Sequence, residues 1–161
     1  MIVISDTSPV INLAIIGHLS LLPDLFGTVV LPKSVFDEIA GAGMPGADVV
    51  QEANWIKIRE TQNASLFMAL KLQIDPGEAE VIALAIELKA DLLLIDERIG
   101  RQTAQHFDLP IMGLIGVLSL AKRKGLIESI KPVLDRLMNE AKFRIRLELY
   151  QQILNNEGEL P

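Results

Sequence analysis

Two aspartates stand at the ends of two apolar stretches that lie far apart in the chain. Asp6 follows the β-branched run at residues 2–5, and Asp96 follows the apolar run at residues 92–95. Both runs are short and almost free of polar residues, which is typical of buried strands in a parallel sheet. Open α/β sheets bind their ligands at the carboxyl ends of such strands. We therefore predict that the two carboxylates lie together on one rim of a sheet.

Two glutamates are candidates for the same rim. Glu38 lies beside an apolar helical stripe at residues 35–39, and Glu78 lies in the first turn of a helix that opens at Asp75. Each of these acids also has a structural interpretation. Glu38 could be solvated, and Asp6 could cap a helix. Glu78, three positions after Asp75, fits a capping box.

Four carboxylates that converge on one site repel one another unless a cation lies between them. The chain has no cysteine and only two histidines, which excludes a thiolate site or a zinc site built on imidazoles. Mg²⁺ and Mn²⁺ fit, because they prefer oxygen ligands and are often held by a few carboxylates together with substrate phosphates. Such an ion turns a bound water into a nucleophile towards a phosphodiester. Metal-assisted hydrolysis is therefore the chemistry that these residues allow.

The elements that must position these acids alternate between strands and helices, which predicts an α/β domain with a mainly parallel sheet. A hydroxyl N-cap at Thr7 or Ser8, followed by Pro9, predicts the first helix. Competing interpretations of an acidic α/β protein do not fit the sequence. The first strand is not followed by the dinucleotide-binding motif GxGxxG, by the P-loop motif GxxxxGK[ST] or by an acid two positions after Asp6. Further strands are predicted at residues 28–31, 55–59 and 109–112. Further helices are predicted at residues 18–26 (broken near Pro23), 34–39, 64–73, 75–88, 97–107, 113–124, 127–141 and 143–154, with a loop and a weak helix at residues 44–54.

Charge is segregated along the chain. The net charge is −6, but residues 122–146 hold eight Lys or Arg against three acids, about +5, which leaves about −11 elsewhere. The basic segment could contact a nucleic-acid backbone, or it could be a set of solvated helix faces. Arg98 and Arg101, in the first turn after Asp96, could hold a phosphate or neutralise neighbouring acids. We find no signal peptide and no membrane span, which is compatible with a cytoplasmic protein.

Together these motifs resemble those of PIN-domain proteins, most strongly a prokaryotic subgroup with a GEAE helix. The resemblance runs from residue 2 to about residue 126. The motifs that carry it are SDTSP at residues 5–9, residues 35–39 with Glu38, PGEAEVIALA at residues 76–85, and LLID at residues 93–96 with Arg98 and Arg101.

This resemblance implies a three-layer α/β/α fold and a cluster of acids that binds Mg²⁺ or Mn²⁺. By motif, the catalytic and metal-binding acids are Asp6, Glu38, Glu78 and Asp96, with Ser8 as a nearby polar contact. The implied activity is a ribonuclease that hydrolyses single-stranded RNA, as the toxin of a toxin–antitoxin pair with a small antitoxin as partner.

A non-catalytic PIN-like module that binds nucleic acid or protein is the alternative to this activity. The resemblance also implies a possible homodimer. We expect a PIN-like nuclease domain at residues 1–126 and C-terminal helices at residues 127–161 that pack on the same domain.

Overall fold

The structure is a computed structural model that describes residues 1–160, and its centre is a five-stranded parallel sheet flanked by helices. The α/β fold class predicted from the sequence is confirmed. The strands are β1 (Val3–Ser5), β2 (Val29–Pro32), β3 (Ile56–Arg59), β4 (Leu92–Leu94) and β5 (Ile111–Met112). Their spatial order in the sheet is β3-β2-β1-β4-β5, and each neighbouring pair is parallel.

The strands are connected through helices, and three further helices follow β5. None of the described helices is long and apolar enough to cross a membrane. The helices are α1 (Thr7–Ile15), α2 (Leu21–Phe26), α3 (Lys33–Gly41), α4 (Ala47–Glu52), α5 (Ala64–Leu70), α6 (Pro76–Leu88), α7 (Arg98–His106), α8 (Leu114–Arg123), α9 (Lys131–Glu140) and α10 (Leu147–Asn156).

Strand β1 lies in the middle of the sheet, where the order of the strands reverses. Its neighbours are β2 on one side and β4 on the other, so that Ile4 is paired with both Val30 and Leu93. The N–H of Asp6 extends the β1–β4 ladder by donating to the carbonyl of Leu94 at 2.9 Å. A reversal of this kind opens a crevice at the carboxyl ends of the two strands. Asp6 and Asp96 both follow strands that end at this crevice.

Helix α6 is buried on all sides over its first two turns. Residues 77–85 are all buried, and the helix packs against β1, β2, α3, α5 and α7. Its hydrophobic residues therefore face neighbours in every direction rather than along one stripe. This packing fixes the amino-terminal end of α6, which carries Glu78, beside the crevice.

Two predicted helix starts were wrong. The cap position of α1 is Asp6 rather than a hydroxyl residue, and Asp6 forms no side-chain capping hydrogen bond. Helix α2 begins at Leu21 and continues through Pro23, which lies in its first turn. Proline is tolerated there because the first N–H groups of a helix have no partner within it.

The last two helices begin later than predicted. Helix α9 begins at Lys131 rather than at residue 127, and α10 begins at Leu147 rather than at residue 143. Lys142 has a left-handed backbone (φ 57°), and the N–H of Phe143 donates back to the carbonyl of Leu137 at 3.0 Å. The chain therefore leaves the helical path between α9 and α10.

The C-terminal helices are anchored to the rest of the domain by apolar and polar contacts. Buried residues of α9 and α10, including Leu137 and Leu154, belong to the hydrophobic core. The Glu159 carboxylate accepts hydrogen bonds from Lys122 Nζ at 2.8 Å and from the N–H groups of Ile130 and Lys131 at 2.7 and 2.9 Å. We call this set of contacts the C-terminal clasp. Pro161, the last residue of the predicted C-terminal region, lies outside the described residues.

Candidate functional site

Asp6 and Asp96 leave the two adjacent strands β1 and β4 at the crevice. Burial is the main cause that raises the pKa of Asp6 to about 6. The carboxylates of Asp75, Glu38 and Asp96 act in the same direction, and the N–H of Thr7 acts against them. Only 6% of the surface of Asp6 is exposed. This carboxylate therefore lies in a pocket where negative charge is costly unless a cation is present.

The carboxylate of Asp96 has more hydrogen-bond donors and positive charge around it than the carboxylate of Asp6. Burial raises its pKa, while the N–H of Leu114, the guanidinium of Arg101 and the hydroxyl of Ser8 each lower it. The Leu114 N–H lies 2.8 Å from Asp96 Oδ1. Because Leu114 is the first residue of α8, Asp96 also orients the start of that helix.

The two hydroxyls at the start of α1 contact acids across the site. Thr7 Oγ1 donates to Glu38 Oε2 at 3.0 Å, and Ser8 Oγ donates to Asp96 Oδ2 at 3.4 Å. Asn12 Nδ2 donates in turn to Ser8 Oγ at 3.0 Å. The hydroxyls that the sequence suggested as a helix cap therefore position two of the candidate acids.

Glu38 is brought to the site by the packing of α3 against α6. The buried carboxylate of Glu80 accepts hydrogen bonds from the N–H and the hydroxyl of Ser34, at 2.9 and 2.8 Å, and so ties α6 to the first turn of α3. A Cβ atom at Gly77 would lie 3.5 Å from Glu38 Oε2. Of the two glutamates in the GEAE motif, Glu80 thus holds the helices together and Glu78 faces the crevice.

Glu78 and Asp75 face each other as the predicted capping box requires. The Glu78 N–H donates to Asp75 Oδ1 at 3.1 Å, and the Asp75 N–H lies near the Glu78 carboxylate and lowers its pKa. Burial raises the pKa of Glu78 to about 7, helped by the charges of Asp6, Asp75 and Glu97. The Glu78 side chain is 6% exposed. The Asp75 N–H therefore does not offset the burial and the neighbouring charges, and the Glu78 carboxylate can still accept a cation.

Sequence analysis missed one acid and two glycines. Glu97 lies beside Glu78 and Asp96 and raises the pKa of both carboxylates. A Cβ at Gly100 would lie 3.2 Å from Glu78 Oε1, and one at Gly113 would lie 2.9 Å from Asp96 Oδ1. The position of Glu97 directly after Asp96 was a usable signal, whereas the close approaches of the glycines could not be read from the sequence.

The candidate residues line two adjoining clefts. The acid cleft has a volume of about 250 Å³ and contains the carboxylates of Asp6, Glu38, Asp75, Glu78 and Glu97. The wide cleft, of about 820 Å³, contains Asp96 and Arg101. Ser8 and Glu97 line both clefts.

The two candidate arginines differ in position. Arg101 lines the wide cleft, and its guanidinium donates to the carbonyl of Ile95 at 3.0 Å, beside Asp96. Arg98 is exposed at the start of α7 and lines neither cleft. The structure therefore brings Arg101, and not Arg98, to the predicted site.

The donor set of the acid cleft fits a hard divalent cation. The side chains that could bind a metal are carboxylates and hydroxyls. The pKa values of Asp6 and Glu78 are raised by burial and by neighbouring acids, so a bound cation would stabilise their charged forms. Among the described residues, no three acid, histidine or cysteine side chains already stand close enough to share one ion. Mg²⁺ is commonly held by one or two carboxylates, with water and substrate phosphate as the other ligands.

The structure places this chain among the α/β proteins that have a parallel sheet and a cluster of acidic residues at its central crevice. Within that class, the chain belongs to the PIN-domain family, whose model matches residues 2–159. The family predicted from the sequence motifs is confirmed, and the match includes α9 and α10. PIN domains are generally nucleases, and they typically use divalent metal ions on nucleic-acid substrates. Comparison with curated proteins and with solved structures gave no match.

Proposed function

We propose that this protein is a metal-dependent endoribonuclease that hydrolyses phosphodiester bonds of single-stranded RNA. The observation that carries the proposal is the convergence of acids from four separate elements on one crevice. Asp6 follows β1, Glu38 belongs to α3, Glu78 belongs to α6, and Asp96 follows β4. Membership of a family that generally consists of nucleases supports the same activity.

The residues that hold the metal in this proposal are Asp6, Glu38, Glu78 and Asp96, with Glu97 as an additional acid. When bound, Mg²⁺ or Mn²⁺ offsets charge on the phosphodiester and activates a water for attack on phosphorus. Hydroxyl groups hold two of the acids in place, because Thr7 bonds to Glu38 and Ser8 bonds to Asp96.

Arg101 has the position of a substrate-binding residue. Its bond to the Ile95 carbonyl keeps the guanidinium beside Asp96 without consuming all five of its N–H donors. The remaining donors are available to a phosphate oxygen in the wide cleft. Ser8 lines both clefts, and its single O–H donor can turn from Asp96 to the same phosphate when the substrate binds.

A cytoplasmic toxin that is neutralised by a small antitoxin is the biological setting we propose. The resemblance of the SDTSP and GEAE motifs to PIN-domain toxins supports this setting, and the same resemblance supports a homodimer. A neighbouring reading frame for a small antitoxin would add support. Rescue of host growth by co-expression of that neighbour is the corresponding experiment.

The activity is tested by cleavage of mixed RNAs in Mn²⁺, with Asp96→Asn as the control variant. Asparagine retains an oxygen that can accept the Leu114 N–H, so the start of α8 is preserved while the negative charge is lost. We expect metal-dependent cleavage by the wild type and none by the variant. Equal cleavage by both proteins would contradict the proposed site.

A non-catalytic module remains the second candidate function. The raised pKa values of Asp6 and Glu78 are compatible with it, because buried acids without enough donors can also bind a basic partner. Metal-dependent stabilisation without cleavage of any RNA, together with binding of a basic peptide, would favour this module over the nuclease.

A further inference from the structure

The acid cleft and the wide cleft continue into a third cleft at the C-terminal side of the molecule. The wide cleft shares Phe143 and Arg144 with a terminal cleft of about 540 Å³, which is also lined by Arg146. Because Ser8 and Glu97 line both of the first two clefts, the three clefts adjoin in series, and we call this series the groove. A polymer that enters the acid cleft can therefore pass along the wide cleft towards Arg146.

The sign of the charge changes along this groove. The charged side chains of the acid cleft are all carboxylates. The wide cleft has two acids at one end and three cations, Arg101, Lys142 and Arg144. In the terminal cleft the only charged side chains among the described residues are Arg144 and Arg146.

The segment between α9 and α10 presents its arginines outward. Phe143 and Ile145 are half-buried and pack against the hydrophobic core, whereas Arg144 and Arg146 are exposed. This alternation is that of an extended chain, in which side chains two residues apart project on the same side at a spacing of about 6.6 Å. The spacing is of the same order as that of successive phosphates in an extended single strand.

These two arginines differ from three of the eight cations of the predicted basic segment. Lys122, Lys131 and Arg136 are each paired with an acid of the C-terminal region. Within residues 1–160, neither Arg144 nor Arg146 forms a salt bridge. The paired cations stabilise helices, and the unpaired arginines remain available to a ligand.

We propose that the basic part of the groove binds the RNA strand that flanks the cleaved phosphodiester. This inference rests on the proposed nuclease function, and it specifies the path of the substrate. The reacting phosphate lies at the acid cleft, and phosphates further along the strand contact Arg144 and Arg146. The ring of Phe143, between the two clefts, provides an apolar wall for a base.

The chemistry of a single-stranded nucleic acid matches this arrangement. Nonspecific single-strand sites combine cations that follow the backbone with aromatic side chains that contact bases. Contacts to phosphate position a strand without reading its sequence, so unrelated RNAs should bind in the same way. A basic surface is also required to offset the repulsion between the strand and the carboxylates of the acid cleft.

The test compares two charge-removal variants in an Asp6→Asn background, which prevents cleavage during the binding measurement. Arg144→Gln/Arg146→Gln removes the proposed contacts. Arg123→Gln/Lys124→Gln is the matched control, because these exposed residues lie at the far end of α8, about 10 Å along the helix from Gly116, the last α8 residue that lines the wide cleft. Binding of a labelled, mixed-sequence single-stranded RNA is measured in Mg²⁺ at several salt concentrations.

We expect the Arg144/Arg146 variant to have a shallower salt dependence than the parent. Loss of two phosphate contacts reduces the slope of log affinity against log salt by about 1.4. Between 50 and 200 mM salt, the variant should therefore lose roughly sevenfold less affinity than the parent. The control pair should keep the parental slope. Equal slopes for the two pairs would overturn the proposed strand path.

Two further measurements separate a binding role from a structural one. Arg144→Lys/Arg146→Lys should restore the slope because charge is retained, and equal loss in the Lys and Gln pairs would overturn the proposal. In the active protein, the Gln pair should lower kcat/KM for a long strand and spare a dinucleotide that occupies only the acid cleft. Equal loss on both substrates would likewise count against the path.

The outcomes also separate this inference from the proposed nuclease activity. Wild-type cleavage with unchanged binding by the Gln pair would retain the nuclease and overturn the groove. Arginine-dependent RNA binding without wild-type cleavage would support the groove and overturn the nuclease. Absence of both binding and cleavage would overturn both.

Discussion

The acid cleft and the C-terminal clasp contain the same type of side chain in opposite electrostatic settings. In the acid cleft, burial and neighbouring acids raise the pKa values of Asp6 and Glu78 to about 6 and about 7. In the clasp, burial acts in the same direction on Glu159, but hydrogen bonds from two backbone N–H groups and from Lys122 outweigh it and lower its pKa. The donors around Glu159 in the clasp offset its burial, whereas those around Asp6 and Glu78 in the cleft do not.

This difference separates acids that hold the fold from acids that are available to a ligand. A buried carboxylate with several donors contributes to stability, whereas buried carboxylates that face one another reduce it. Asp6 and Glu78, which lack enough donors, lie at a crevice that is open to solvent, where a cation can bind and supply positive charge. The comparison can be tested by removing charge from each region in turn.

The largest expected effect is the loss of cleavage when an acid of the crevice is neutralised. Asp6→Asn should lower cleavage at least about a hundredfold, because a metal ligand supports several kcal/mol of transition-state stabilisation and each 1.4 kcal/mol is tenfold in rate. Adding Asp96→Asn should make little further difference if the acids act as one unit. Rates are measured on a mixed RNA in Mn²⁺.

Asp37→Asn is the control for this loss. Asp37 is exposed, adjacent to Glu38 in sequence and paired with Lys33 on the surface of α3. The Asp37→Asn variant should cleave RNA at the same rate as the wild type. Additive losses in the Asp6/Asp96 double variant would count against a shared site.

The next largest effect is on stability, and it should have opposite signs in the two regions. Glu159→Ala removes an acceptor of three hydrogen bonds and should lower the free energy of unfolding by about 1.5–3 kcal/mol. For a chain of this size the melting temperature falls by roughly 3–12 °C. Glu78→Gln should leave the stability of the metal-free protein unchanged or raise it. Thermal melts in chelator measure both variants. A large fall in the melting temperature of Glu78→Gln would show that donors or cations of the folded protein already stabilise the Glu78 charge.

Metal should stabilise the protein through the crevice and not through the clasp. An ion that binds only the folded state contributes about 1.4 kcal/mol at roughly ten times its dissociation constant. The melting temperature of the wild type should therefore rise by about 3–6 °C in Mg²⁺ or Mn²⁺. Glu159→Ala should keep this rise and Asp6→Asn should lose most of it. An equal rise in Asp6→Asn would remove that residue from the ligand set.

The smallest expected effect is a difference in pH dependence. The raised pKa values of Asp6 and Glu78 mean that the folded state binds more protons, so stability falls as pH rises from about 4 to about 7. The lowered pKa of Glu159 has the opposite consequence, since its contribution is lost as pH falls below about 4.

Melts from pH 3 to pH 8 in chelator resolve these two windows. Asp6→Asn/Glu78→Gln should flatten the decline between about pH 4 and pH 7 by a few °C and leave the loss at lower pH unchanged. A decline of wild-type size in the double variant would assign the pH dependence to other groups.

The sequence predicted the parallel sheet and the positions of Asp6 and Asp96 because these features depend on local pattern. A short apolar run followed by an acid places that acid at the end of a strand, and helical connections make the strands parallel. The same local reasoning correctly assigned Asp75 as the N-cap of α6. The PIN-domain family could be named from the motifs that these elements carry.

Features that depend on contacts between distant elements could not be predicted in this way. The pairing of Glu80 with Ser34, which distinguishes the two glutamates of the GEAE motif, requires the packing of α6 on α3. The division of the basic segment into paired and unpaired cations depends on where the acids of the C-terminal tail fold back. The extended path before α10 also follows from tertiary packing, because residues 143–146 carry no strong helix-breaking residue.

The position of β1 between β2 and β4 determines when the crevice is assembled during synthesis. Strand β4 lies 89 residues after the start of β1, since the register pairs Val3 with Leu92. At about 5–20 residues per second, a ribosome needs roughly 4–18 s to make the intervening chain. During that time one edge of β1 has no strand to pair with, and Asp6 has no neighbour from β4. A nascent chain that ends before Asp96 therefore lacks the complete acid cluster.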